Sequence, residues 1–144
     1  MKNHIAAFVF LLLGSTLFAQ QGNSSYQTKY VVILVIDGPR YSETYGDTSC
    51  RLSPVLCDSL RYQGAFYEDF KNKGVTYTVP GHTAIATGVY QRISNSGTNL
   101  PKNPSLFQYY LKSTGAAKND AYIVASKGKL DVLANTDNKK WHGQ

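Results

Sequence analysis

Residues 30–36 read YVVILVI. The run is apolar without a break and mostly β-branched. A half-exposed strand would alternate apolar and polar side chains, and this run does not. It is also short for a helix. The pattern predicts a strand buried on both faces, as in a parallel sheet. Working outward, AYIVAS (121–126) reads as a second buried strand and AFYEDF (65–70) as a short one. Helical stretches lie between them. SPVLCDSLRYQG (53–64) offers Ser53 as N-cap, Pro54 as first helical residue and Gly64 as stop. A short helix is expected from Pro80, with Gly88 near its end. Another is expected from Pro104, capped by Asn103 and closed before Gly115. A short helix is also possible after Lys127. Strands alternating with helices predict an α/β fold built on a parallel sheet.

The N-terminus is of another kind. MKNHIAAFVFLLLGSTLFAQ (1–20) carries Lys2, then an apolar run from Ile5 to Leu13, then small and apolar residues up to Ala19. This predicts a secretory signal peptide over 1–19, cleaved after Ala19. The run is shorter than the about 20 apolar residues of a membrane span. No stable membrane insertion is therefore expected after cleavage, and the location is periplasmic or secreted. Residues 20–29 form a polar tail, and 30–144 carry the domain. Without residues 1–19 the chain is net +5, one less than the +6 of the whole sequence. A modest positive charge favours anionic partners. The basic residues are scattered, without an arginine-rich tract, which argues against nucleic acid. Cys50 and Cys57 are the two cysteines. In an exported protein they can pair across a small loop; as free thiols, one would face the core from a helix. With so few histidines they do not make a Cys/His zinc site.

Three residues carry candidate chemistry. Asp37 follows the 30–36 run directly, at the carboxyl end of the predicted strand, where α/β sheets bind ligands. It can hold a metal, act as acid or base, or simply end a strand in a turn with Gly38. Thr78 lies in TYTVPGHTAIATG (76–88), next to the predicted helix start. There it can cap the helix, or it can face an anion attracted by free N–H groups and the helix dipole. A bound metal would make its hydroxyl a competent nucleophile. His82 can be a ligand, a proton shuttle or a structural hydrogen-bonding group.

VVILVIDGPR (31–40), followed by TYTVPGHTAIATGVY (76–90), resembles the alkaline phosphatase superfamily. The likeness is to the type I phosphodiesterase/nucleotide pyrophosphatase branch and the threonine-dependent bacterial phosphatases, and covers roughly residues 30–125. It implies an alkaline phosphatase-like fold, of which this chain would be the N-terminal portion. It implies that Asp37 is a metal ligand and that Thr78 is both nucleophile and ligand of the same metal. An asparagine about twenty residues after the nucleophile binds a phosphoryl oxygen in this branch; Asn99 fits that spacing, with Asn95 as competitor. The loop VYQRISNSG (89–97) lacks the proline and His-Gly pair many members carry there. His82 matches a family histidine that is not usually a metal ligand. Lys127 is placed to reach an anionic substrate or to stay solvated. The threonine and histidine in T-x-P-x-H disfavour a sulfatase, which has C/S-x-P-x-R.

The activity implied is that of an exported metal-dependent phosphohydrolase, acting on a small phosphate ester through a phospho-threonine. Two divalent ions, zinc by default, would serve it. After Thr78 the sequence offers only His82, His142, Asp120, Asp131 and Asp137, without the family's Asp-x-x-x-His or Asp-His arrangement. The remaining ligands are expected beyond residue 144. Two alternatives stand beside this reading. One is a phosphotransferase similar to phosphoglycerate mutases, against which export and the threonine both argue. The other is an inactive module that binds an anion or a partner protein.

Overall fold

The computed structural model describes residues 28–67 and 69–143. The predicted signal peptide and most of the polar tail lie outside these. The chain divides into two compact units, one up to Val35 and one from Ile36 onward. In the first, residues 28–35 carry no regular secondary structure and expose their side chains, Val32 at 88% and Leu34 at 80%.

No strand forms among the described residues, so the expected parallel sheet, and with it the α/β alkaline phosphatase-like fold, is not what the chain adopts. The second unit is helix and coil. Its helices are α1 (Pro54–Asp58), α2 (Thr78–Thr87) and α3 (Leu106–Thr114), joined by 3-10 turns and loops. The reason for the failure is physical. Apolar β-branched runs state a local preference, but a strand exists only when a neighbour completes its hydrogen-bond ladder. Here backbone bonds outside the regular helices reach back five residues or fewer, except Asp137 N–H to the Pro101 carbonyl at 2.8 Å. The segment 121–126, expected as a buried strand, leaves Val124 95% exposed.

The helices follow their local signals more closely. Pro54 opens α1, but the helix stops at Asp58 and continues only as a 3-10 turn, Leu60–Tyr62. α2 begins at Thr78, two residues before the expected Pro80, and ends at Gly88 in the left-handed conformation, φ 71°. Glycine adopts that conformation without a Cβ clash. α3 begins at Leu106 with Ser105, rather than Asn103, as N-cap. Its capping box is complete: Ser105 Oγ accepts from Gln108 N at 3.4 Å, and Gln108 Oε1 accepts from Ser105 N at 3.1 Å.

The core is small. Val79 and Ala86 of α2 pack with Leu130, Val132 and Leu133 from the 3-10 segment Gly128–Ala134, flanked by Ile93 and Ile123. The apolar face of α2 is thus covered by chain some fifty residues downstream. α3 is tied separately to the C-terminal turn Lys139–Trp141. Tyr109 meets Trp141 edge-on at 4.5 Å, Lys112 sits 4.2 Å over the same ring, and Lys112 Nζ donates to the Lys140 carbonyl.

Candidate functional site

The start of α2 organises the site. Position 77 is the N-cap, yet Tyr77 has no side-chain oxygen near the helix amides and makes no cap bond. Thr78 does not cap either. Its hydroxyl donates to Asp37 Oδ2 at 3.3 Å, across 41 positions of sequence. The cap comes from a distant loop, where Asn95 Oδ1 accepts from the Val79 N–H at 3.0 Å. Pro80 has no N–H, and the Gly81 N–H makes the first intrahelical bond, to the Tyr77 carbonyl. Thr78, as the first helical residue, has an amide with no partner within the helix.

Asp37 is held twice on one oxygen. Lys127 Nζ donates to Oδ2 at 2.6 Å, beside the Thr78 bond. Both charged side chains are partly exposed, Lys127 at 48% and Asp37 at 39%. The hydrogen bond and charge of Lys127 hold the Asp37 carboxyl below the ordinary carboxylate range. Partial desolvation opposes this, while the Thr78 hydroxyl and the nearby His82 add to the lowering. His82 Nδ1 lies 2.7 Å from the Thr78 carbonyl. A carbonyl can only accept, so Nδ1 carries the proton in that bond. His82 therefore braces the first turn of the helix.

The Asn95 loop is pressed close to the segment that carries Lys127. Lys129 Nζ donates to Asn95 Oδ1 at 3.2 Å. Gly97, at φ 81°, lies so near that a Cβ would stand 2.6 Å from Lys129 Cβ. Both the left-handed backbone and the close approach require glycine there.

Asp37 and Thr78, the two predicted metal ligands, are therefore brought into direct contact. Asn99 is placed elsewhere. Its side chain accepts from the Thr98 hydroxyl at 3.4 Å, and it lines a polar cavity of about 510 Å³ with Gln91, Arg92, Lys102 and Asp137. Of the two asparagines weighed for the phosphoryl oxygen, Asn95 is the one at the helix start. The Lys127–Asp37 pair spans 90 positions, and no local pattern announces it.

The donor chemistry fits part of a metal site. A carboxylate and a hydroxyl converge, and an ammonium ion already favours the same oxygen, which marks a position suited to positive charge. Two oxygens fall short of the four donors of a zinc site. No group of three or more His, Cys, Asp or Glu able to hold a metal occurs among the described residues. No helix among them is long and apolar enough to cross a membrane.

No protein family, no curated protein and no solved structure matches this chain.

Proposed function

We propose that the chain belongs to an exported, metal-dependent phosphohydrolase of the alkaline phosphatase superfamily, acting on a small phosphate mono- or diester. One observation carries this reading: Thr78 turns its hydroxyl away from its own helix and onto Asp37. A threonine serving only as a cap would bond an amide of the first turn. This one is presented beside a carboxylate, a lysine and an amide with no partner within the helix.

The residues divide the work as follows. Thr78 Oγ1, its proton given to solvent, attacks phosphorus; the bond to the leaving oxygen breaks, that oxygen takes a proton from solvent and departs as the alcohol, and the phospho-threonine formed is cleaved by water to free threonine and phosphate or phosphate monoester. Asp37 orients the hydroxyl; with its carboxyl held low by Lys127 it is a weak base and does not deprotonate it. A bound divalent ion would supply what Asp37 lacks, by lowering the hydroxyl pKa. Asp37 and Thr78 would hold that ion on this side. Lys127 and the Thr78 amide offer positive potential to the phosphoryl oxygens. Asn99 is too little tied to this cluster to be given a part, and Asn95 takes the place beside it.

The test is hydrolysis of p-nitrophenyl phosphate and its bis-ester by the protein and by Thr78→Ala. The variant is expected to lose all turnover above background while keeping its melting curve. Chelator is expected to silence the unmodified protein, and zinc to restore it. Full activity in Thr78→Ala overturns the assignment.

A further inference from the structure

The loop after Asp37 holds a second feature, unrelated to phosphoryl chemistry. Asp47 ties residues 47–52 into a compact turn: its carboxylate accepts from the Ser49 N–H at 3.0 Å and the Leu52 N–H at 3.3 Å. Inside that turn Cys50 adopts φ 53°, the only positive φ at a non-glycine residue among those described. A side chain seldom accepts this conformation unless its surroundings impose it. The turn brings Cys50 back toward α1, where Cys57 is buried. Both cysteines then converge on one carbonyl. Asp47 O accepts from the Cys50 N–H at 3.0 Å and from the Cys57 thiol at 3.9 Å. The Cys50 thiol lies 4.0 Å from the next carbonyl, that of Thr48. The two thiols are free and hydrogen-bond each other.

We propose that Cys50 and Cys57 are an intramolecular disulfide site, preset by the Asp47 turn and closed by a small-molecule or protein disulfide. Two thiols give up two protons and two electrons, a sulfur–sulfur bond forms between them, and the oxidising disulfide leaves as two thiols. The hydrogen bond that the Cys50 thiol gives to Cys57, with burial and the nearby Cys57, Asp58 and Asp47 charges, pushes that thiol up to about 11. The bridge would staple the turn to α1 around the exposed Arg51.

The experiment uses the full chain, purified reduced and then incubated with oxidised glutathione. The titratable thiol count is expected to fall from two to none, with the intact mass lower by two hydrogens. Trypsin cuts at Arg40, Arg51 and Arg61, so a non-reducing digest should carry segments 41–51 and 52–61 as one species that separates on reduction. Two persisting thiols, a glutathione adduct or a disulfide-linked dimer would each overturn the proposal.

Discussion

α2 and α3 are nearly equal in length, and both end on a left-handed glycine, Gly88 and Gly115. Their beginnings differ. α3 closes its own first turn with Ser105 and Gln108, three residues apart. α2 has no cap of its own and borrows Asn95, sixteen residues away, while its first residue reaches Asp37. Where a helix start satisfies itself, nothing is left over for chemistry. Where a distant loop satisfies it, the side chain and amide of the first residue are available to something else. The start of α2 is thus set apart by a missing local cap together with a long-range substitute.

The sharpest way to break this comparison is to remove what holds α2 from outside. Leu130 is buried against Val79 and Ala86. Leu130→Ala should cost about 2–5 kcal/mol, the usual range for emptying a buried leucine site. Amide hydrogen exchange should rise in α2 well before α3, since α3 is anchored by its own box and by Trp141. Equal loss in both helices would mean that they unfold as one and that the contrast is only geometric.

The caps come next in size. Ser105→Ala should destabilise α3 by about 0.5–2 kcal/mol. Asn95→Ala should do the same to α2, because it takes the acceptor from the amide of the buried Val79. Denaturant melts of the two variants check this. If Asn95→Ala leaves stability untouched, the borrowed cap is incidental.

The same contrast governs what could be read from the sequence. α3 was legible because its signals, Pro104 and Gly115, are local. Its cap was misplaced at Asn103 and its start at Pro104, since two capping residues stand two positions apart and the later one, Ser105, caps the helix. The end of α2 was legible for the same reason. Its start was not, because Asn95 gives no sign at distance sixteen that it will meet Val79. The apolar run 30–36 misled in the opposite way. Its composition states a strand preference, but pairing is a property of two segments, and no partner strand forms among the described residues. Asp37 and Thr78 were singled out as residue types in context, and their meeting is a long-range fact. Lys127 was seen as a lysine able to reach an anion, and its hold on Asp37 was missed.

The finest effect lies in the titration of Asp37. Its carboxyl is below the ordinary value in the folded chain. Stability from its partners is therefore present above the unfolded pKa of 3.8, and is lost as the pH falls through the lower folded value. Carboxyl-detected NMR titration should place Asp37 below an exposed aspartate. In Lys127→Met its pKa should rise toward 3.8, because Lys127 supplies the two largest lowering contributions. In Thr78→Ala the rise should be smaller, since the hydroxyl ranks behind both and behind the opposing desolvation. The order of the two variants carries the argument. If Thr78→Ala moved Asp37 more than Lys127→Met, the hydroxyl would be the chief partner of the carboxylate and the lysine a solvated neighbour. Asp37 would then be tuned from the helix start of α2 itself, and the roles proposed for Thr78 and Lys127 would have to be reversed.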